Sequence, residues 1–277
     1  MTASRIDARF AALRGEGRAA FIAYVMAGDP DVATSLAILK GLPAAGADLI
    51  ELGMPFSDPM ADGPPIQRAG RRALRGGMTV DGALTLAARF READTATPIV
   101  LMGYLNPILS HGLEAFAGAA AAAGIDGLIA VDCPPEEAGP LADALDAWDI
   151  ALIGLATPTT DDARLAVVAR RTRGFLYYVS VAGVTGGREA DAGQIAPAVA
   201  RARVAAGLPV AVGFGIRTPE RAAAVARVAD AVVVGSALVD CIDEAIAQNR
   251  DPVSKLLDTA AQLAKAVRSA RAGESSR

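Results

Sequence analysis

Three carboxylates lie close together in the sequence, where an apolar segment gives way to a loop rich in proline and glycine. Glu51 stands within the apolar segment, and Asp58 and Asp62 follow in the loop. If the segment is a strand, side-chain alternation places Glu51 on the same face as Leu49 and Gly53. Burial of both faces would raise the pKa of Glu51, which suits a group that exchanges protons near neutral pH. A structural alternative is open, in which Glu51 pairs with an arginine and Asp58 caps a turn.

The scarce residue types exclude several other chemistries. His111 is the one histidine, expected at the start of the helix after the third strand as a surface or capping residue, so a site of several imidazoles cannot form. The three lysines fall on predicted helices away from strand ends, which leaves no desolvated amine for a Schiff base. Cys133 and Cys241 lack a histidine partner and CxxC spacing, so neither is expected to be a nucleophile. Carboxylates and tyrosines remain for proton transfer.

Apolar segments and amphipathic helical segments alternate along the chain, which is the pattern of an α/β fold. Eight of the apolar segments are predicted to be strands. The predicted strands are Ala20–Met26, Ala47–Leu52, Pro98–Gly103, Gly127–Val131, Ile150–Leu155, Gly174–Val179, Pro209–Gly213 and Ala231–Gly235. Eight strand–helix units without a break in composition predict a (β/α)8 TIM barrel, with a doubly wound open sheet as the alternative. Active sites of barrels lie at the C-terminal strand ends, and Glu51 falls at such an end.

Two further helices are predicted at the ends of the chain. Ser4–Arg14 forms an extra N-terminal helix that could close the bottom of the barrel, and Pro252–Arg268 forms a long C-terminal helix. We expect residues 1–271 to make up a single barrel domain and residues 272–277 to form a flexible tail.

Glycine-bearing loops follow the last three predicted strands. They span residues 183–187, 213–216 and 235–237, and a helix is predicted to begin at Ser236 in the third. Glycine lets backbone N–H groups approach an anion, and a helix N-terminus adds partial positive charge. Barrels often bind phosphate with the loops after strands seven and eight. The sequence therefore predicts a phosphate-bearing ligand that is held mainly by the backbone.

The overall composition limits the partners that the protein can bind and the compartment in which it is expected. The chain of 277 residues has a net charge of −4 and a pI near 5.2, which argues against nucleic-acid binding and a basic membrane-binding surface. No apolar run approaches the ~18 residues of a membrane span, and the N-terminus lacks a secretory apolar region. The two cysteines suit a reducing compartment. We therefore expect a cytoplasmic protein.

Several motifs follow one another over about 210 residues of the chain. The longest runs from Glu51 to Gln67 and reads ELGMPFSDPMADGPPIQ. The others are Gly28–Pro30, Met102–Ile108, Asp132–Pro134, Gly183–Gly186, Gly213–Ile216 and Gly235–Ala237. Together they resemble the tryptophan synthase α subunit family. That family is a (β/α)8 barrel that cleaves indole-3-glycerol phosphate to indole and glyceraldehyde 3-phosphate.

The resemblance implies a role for each matching residue. Glu51 would be the general acid and base, and Asp62 would stay ionised to engage the indole ring nitrogen. The residues that would hold the substrate phosphate are Gly186, Gly215, Gly235 and Ser236. The residues that would line the indole pocket or support Glu51 are Tyr24, Tyr177 and Phe214. Thr185 would meet Asp62 when the loops at residues 55–65 and 182–190 close as a lid.

The resemblance also implies partners. A β subunit that carries pyridoxal phosphate would receive the indole in an α2β2 heterotetramer, with Asp58, Asp132 and Pro134 near the contact. No cofactor or metal is expected on this chain itself, because the protonated indole ring is its own electron sink. Three alternatives stay open: a stand-alone lyase, a phosphosugar isomerase or epimerase, and a non-catalytic sensor of a phosphate metabolite.

Overall fold

Nine parallel strands form one sheet in a computed structural model that describes residues 4–180, 192–213 and 215–272. The strands are β1 (Ala20–Met26), β2 (Leu49–Gly53), β3 (Ile99–Gly103), β4 (Gly127–Ala130), β5 (Ala151–Leu152), β6 (Gly154–Ala156), β7 (Leu176–Val179), β8 (Val210–Gly213) and β9 (Ala231–Val234). Their order in the sheet is β5-β4-β3-β2-β1-β9-β8-β7-β6. Strands β5 and β6 stand at the two ends of this order, and in the chain only Ile153 lies between them. The sheet therefore closes into a barrel that is interrupted only at this residue. The fold is the predicted TIM barrel.

Helices surround the barrel on its outer side. Those within the described residues are α1 (Arg5–Gly15), α2 (Val32–Gly41), α3 (Pro64–Arg75), α4 (Val80–Arg91), α5 (Leu105–His111), α6 (Leu113–Ala122), α7 (Gly139–Asp146), α8 (Asp162–Ala169), α9 (Ala192–Ala206), α10 (Pro219–Val228), α11 (Ser236–Ala247) and α12 (Pro252–Ser269). The strands are buried between these helices and the barrel interior, as parallel strands require. Of the described helices, none has both the length and the apolar character needed to cross a membrane.

Most predicted strands lie within two residues of their observed bounds, and two predictions need correction. The fifth strand is interrupted, so that Ala151–Leu152 pairs with β4 while Gly154–Ala156 pairs with β7. The prediction that His111 starts a helix was wrong, because it is the last residue of α5. Gly112, with φ of +87°, separates α5 from α6 in a conformation that favours glycine. The His111 ring contacts the Asp81 carboxylate at 2.9 Å.

Helix α1 closes the N-terminal end of the barrel, as the sequence predicted. Ile6, Phe10 and Leu13 form its buried face and share one core with the inward-facing strand residues. The ring of Phe10 packs against Phe175, which directly precedes β7, with ring centroids 5.7 Å apart. The bottom of the barrel is therefore filled by apolar side chains, which leaves the opposite end for a functional site.

Helix α12 is the predicted long C-terminal helix. It packs against α10, α11 and α2, with a buried face that includes Leu256, Leu263 and Val267. The assignment of residues 1–271 to a single domain stays a prediction. Of the predicted tail, the structure describes only Ala272.

Candidate functional site

Glu51 lies inside the barrel near the C-terminal end of β2. Its neighbours across the sheet are Tyr24 on β1 and Val100 on β3. The residue is completely buried, and neither carboxylate oxygen has a hydrogen-bond partner among the described residues. Burial raises the pKa of Glu51 to about 8, because the ionised form loses its solvation. The carboxyl group is therefore neutral at pH 7 and able to donate a proton.

Two buried tyrosines, Tyr24 and Tyr177, lie near Glu51. Burial holds the pKa of each phenol well above its usual range, and the charges of Asp62 and Glu51 at Tyr24, and of Glu51 at Tyr177, act in the same direction. Each phenol fits because the adjoining strand ends in glycine. A Cβ atom would lie 2.3 Å from the Tyr24 oxygen at Gly53, and 2.1 Å from the Tyr177 oxygen at Gly213. These two glycines are thus required by the close approach of a tyrosine rather than by a turn.

Asp62 lies in the loop between β2 and α3, directly before the helix cap Gly63. Partial burial raises its pKa to about 6, and a hydrogen bond with the Tyr104 hydroxyl opposes the rise. Asp62 is therefore mostly ionised at pH 7, while Glu51 is mostly protonated. Two carboxyl groups whose surroundings separate their pKa values in this way can act as a proton donor and an anionic acceptor.

Tyr104 and Gln67 hold the loop that carries Asp62, and sequence reasoning gave neither a role. The Tyr104 hydroxyl accepts a hydrogen bond from the Ala61 amide at 2.9 Å, and it lies close enough to the Asp62 carboxylate to lower the pKa of that group. The Gln67 side chain donates to the Asp62 carbonyl oxygen at 2.9 Å. A signal was present, because Tyr104 directly follows β3 and Gln67 lies one turn inside α3. The contacts themselves depend on the three-dimensional arrangement of the loops.

The predicted phosphate site lies where β9 ends and α11 begins. Gly235 is the cap residue and has no side chain that could cap the terminus, and Ser236 is the first residue of the helix. The first amide groups of a helix lack intrahelical acceptors and carry partial positive charge. Gly215 follows β8 with φ of +73°, which favours glycine. These groups can bind an anion largely through backbone N–H donors.

Three predicted site residues lie outside the described residues, namely Thr185, Gly186 and Phe214. The predicted lid segment at residues 182–190 lies there as well. The roles of these residues stay predictions.

The predicted partner-contact residues follow the C-terminal ends of two strands. Asp58 is exposed in the loop after β2, and Asp132 and Pro134 are exposed in the loop after β4. The Asp132 carboxylate accepts a hydrogen bond from the first amide of α5 at 2.7 Å. Met60, near Asp58, is 85% exposed. An exposed methionine beside carboxylates is a surface feature that suits contact with another protein.

A cavity of about 310 Å³ opens at the interruption of the fifth strand rather than at Glu51. It lies between β4, the interrupted strand and helices α7 and α8, and its lining includes Val131, Leu155 and Thr172. None of the tyrosines and carboxylates that surround Glu51 lines it. We therefore do not assign the substrate to this cavity.

Comparison with known proteins gives matches over nearly the whole chain. A family model described as tryptophan synthase alpha chain matches residues 10–268. The tryptophan synthase alpha chain of Caulobacter sp. (strain K31) is 70% identical over 271 residues, which is 98% of each chain. That of Phenylobacterium zucineum (strain HLK1) is 69% identical over 271 residues, again 98% of each chain.

Solved structures also match over nearly the whole chain. Tryptophan synthase subunit alpha from Legionella pneumophila str. Paris superposes with a TM-score of 0.90 at 39% identity, over 96% of this chain and 99% of that one. A chain of tryptophan synthase from M. tuberculosis, in its aminoacrylate-bound form, superposes with a TM-score of 0.85 at 37% identity, over 96% and 100% of the two chains. The barrel and the order of its elements are thus shared with these proteins.

Proposed function

This chain belongs to the tryptophan synthase alpha chain family, and we propose that Glu51 and Asp62 perform the lyase reaction of that family. The reaction cleaves indole-3-glycerol phosphate to indole and D-glyceraldehyde 3-phosphate in tryptophan biosynthesis. It is a retro-aldol cleavage, in which protonation of indole C3 makes the ring an electron sink. The enzyme must supply that proton, stabilise positive charge at the ring nitrogen and take a proton from the glycerol hydroxyl.

The observation that carries the proposal is the complete burial of Glu51 without a hydrogen-bond partner in the described part of the chain. With a pKa of about 8, the group is protonated at neutral pH and can deliver a proton to indole C3. The carboxylate that results is poorly solvated and therefore basic. It then takes the proton from the glycerol hydroxyl as the carbon–carbon bond breaks.

Asp62 fills the complementary role at the ring nitrogen. Its pKa of about 6 leaves it ionised at neutral pH, so it accepts a hydrogen bond from the indole N–H. The attraction grows as positive charge develops on the ring, which stabilises the transition state more than the bound substrate. Tyr104 and Gln67 hold the loop in place for this contact.

The remaining parts of the substrate meet the other residues of the proposed site. The phosphate would be held by Gly186, Gly215, Gly235 and Ser236. The indole ring would lie against Tyr24, Tyr177 and Phe214. Closure of residues 55–65 and 182–190, with Thr185 meeting Asp62, would exclude water and retain the liberated indole.

We extend the proposal to a partner. Two related structures are described as tryptophan synthase from M. tuberculosis rather than as its alpha subunit, which supports a β subunit that receives the indole from this chain. Asp58, Asp132 and Pro134 would lie near that contact in an α2β2 heterotetramer. Pyridoxal phosphate would be bound by the β subunit rather than by this chain, and the assembly would be cytoplasmic.

Replacement of the buried acid gives the direct test. Glu51→Gln keeps the size of the side chain but cannot exchange protons, so kcat for indole release should fall by ~10²-fold or more. The inhibition constant of inorganic phosphate should stay unchanged, because this ion occupies only the phosphate end. Glu114→Gln, an exposed glutamate on α6, serves as the control. More than a tenth of wild-type kcat in Glu51→Gln would contradict the proposal.

A second measurement separates an α subunit from a stand-alone lyase. Purified β subunit is added to the full chain, and indole-3-glycerol phosphate cleavage is followed by the release of glyceraldehyde 3-phosphate. Activation by the β subunit is expected of an α subunit. A rate that does not respond to the β subunit would favour the stand-alone lyase.

A further inference from the structure

Two arginines of α3 and two aspartates of α11 join these helices through ion pairs; we name them the arginine–aspartate cluster (Arg68, Arg72, Asp240 and Asp243). Arg68 donates to Asp243 at 2.8 Å and to Asp240 at 3.0 Å. Arg72 also donates to Asp243, so this aspartate receives both arginines. The aspartate side chains are 19% and 22% exposed, which protects the pairs from full solvent screening.

Helix α3 is the support for Asp62. The helix is capped by Gly63, the residue after Asp62, so a shift of α3 displaces the loop that carries Asp62. The Gln67 side chain adds a second tie, because it donates to the Asp62 carbonyl oxygen. Arg68 is the next residue along the helix. The cluster therefore binds α3 within one turn of Gly63 and Gln67, the residues that hold Asp62 in place.

Helix α11 is the support for the other end of the proposed substrate. Its N-terminus supplies Gly235 and Ser236, the proposed phosphate cradle. Asp240 lies about one turn further along the same helix. The two helices that the cluster joins thus carry the two groups proposed to meet the indole nitrogen and the phosphate.

The cluster also reaches two loops at the same end of the barrel. Arg72 forms a two-point contact with Asp29, at 2.6 and 2.9 Å, and Asp29 is buried in the loop after β1. Arg217 donates to Asp240 from the loop after β8, which contains Gly215. Four strand ends are therefore connected through side chains with fixed, planar geometry.

We propose that the arginine–aspartate cluster sets the distance between Asp62 and the phosphate cradle, and so matches the site to the length of indole-3-glycerol phosphate. This inference rests on the proposed function. The cluster does not touch the substrate, so its members are positioning residues. They act through α3 and α11 on groups at the two ends of the ligand.

A length-setting role and a merely stabilising role predict different effects on the affinity of ligands. A substrate that spans both ends loses affinity when the two ends shift relative to each other. A ligand that occupies one end does not sense the distance. Weakening of the local structure, in contrast, would impair one-ended ligands as well.

The test compares the spanning substrate with its two fragments, using the full chain together with purified β subunit in the absence of serine. Arg68→Gln and Asp240→Asn should each lower kcat/KM for indole-3-glycerol phosphate by about threefold to tenfold. Inhibition constants for glycerol 3-phosphate and for indole should stay within about twofold of the wild type. The fold-loss of kcat/KM in the double variant should be smaller than the product of the two single fold-losses, because each single variant already removes the contact between Arg68 and Asp240.

Two further variants control for charge and folding. Arg75→Gln removes an exposed arginine at the end of α3 that makes no ion pair among the described residues, and it should keep the wild-type kcat/KM. Arg68→Lys retains the charge but not the planar guanidinium, so it should recover only part of the loss. Wild-type kcat/KM in both Arg68→Gln and Asp240→Asn would overturn the inference. Parallel weakening of the fragments, or an equal loss in Arg75→Gln, would overturn it as well.

Indole release by the wild-type protein separates failure of the proposed function from failure of the length-setting inference. If it releases no indole, the proposed function fails and the length-setting inference falls with it. If it is active while the cluster variants match it, only the length-setting inference fails.

Discussion

At the residue scale, the raised pKa of Glu51 links its proposed role in proton transfer to the stability of the fold. Its value of about 8 in the folded protein exceeds the ordinary 4.5, so folding increases proton affinity at this carboxyl group. Between these two pH values the folded chain keeps the proton while the unfolded chain has released it. The folded state then binds more protons, and the free energy of unfolding falls as pH rises. The stabilising contribution is complete below pH 4.5 and is lost as pH rises through about 8.

Glu51→Gln should remove this pH dependence. The variant should unfold with nearly the wild-type free energy at pH 5, where Glu51 is protonated. At pH 8.5 it should be more stable than the wild type by at least ~1 kcal/mol, since a tenfold change in proton affinity is worth about 1.4 kcal/mol. Urea unfolding at both pH values measures the difference. If the difference in the free energy of unfolding between the two proteins is the same at pH 5 and at pH 8.5, Glu51 does not titrate in this range.

Glu51 could be read from the sequence because a charged residue inside an apolar strand is conspicuous without any knowledge of its neighbours. Tyr104 could not be assigned a role in the same way. Its hydroxyl contacts Ala61 and Asp62, which lie more than forty residues earlier in the chain. The same holds for Gly53, whose need for glycine arises from the Tyr24 phenol on the adjoining strand. Contacts between strands require a register that local patterns do not specify.

At the element scale, an aspartate precedes three of the strands and performs the same task each time. Asp48, Asp126 and Asp230 each accept a hydrogen bond from the first or second amide of a neighbouring strand. Each also binds at least one arginine. The carboxylates thus fix where adjacent strands begin. The sequence reveals the recurring aspartate as an entry residue, but its partners become visible only in the closed barrel.

The three aspartates differ in burial, which predicts different costs of removal. The Asp126 side chain is 5% exposed and binds both Arg5 and Arg91, so Asp126→Ala leaves the largely buried Arg91 without its carboxylate. We expect the free energy of unfolding to fall by about 3–5 kcal/mol. Asp230 is 29% exposed, and Asp230→Ala should cost only about 1–2 kcal/mol. Urea unfolding of the two variants checks the ranking, and equal losses would contradict it.

The interruption of the fifth strand shows the limit of reading elements from apolar runs. Ile150–Leu155 is a continuous apolar run apart from Gly154, which predicts an unbroken strand. In the barrel, a Cβ atom at Gly154 would lie 2.1 Å from the Thr172 hydroxyl oxygen. Glycine therefore lets β6 pass close to the segment after α8 and pair with β7. The sequence shows the glycine but not the side chain that it accommodates.

At the scale of the whole molecule, the apolar filling of the barrel and the proposed site lie at opposite ends of the barrel. Helix α1 fills the bottom, where Arg9 and Arg18 also bind the buried Asp48. Glu51, Asp62 and the start of α11 lie at the C-terminal strand ends. The alternation of strands and helices was enough to predict this polarity, because barrels place their sites at one end. The connection between α3 and α11 was not predictable, since it depends on side chains far apart in the sequence.

This separation predicts that the bottom of the barrel can be weakened without loss of catalysis. Phe10→Ala removes a buried ring that packs against Phe175, so the free energy of unfolding should fall by about 3–5 kcal/mol. At a temperature where the variant is still folded, its kcat and KM for indole-3-glycerol phosphate should equal those of the wild type, because Phe10 lies at the opposite end of the barrel from Glu51 and Asp62. Tyr104→Phe is the converse control: it should impair turnover through Asp62 while costing less stability than Phe10→Ala. A Phe10→Ala variant that is folded but has lost turnover would show that the two ends are coupled through the barrel interior.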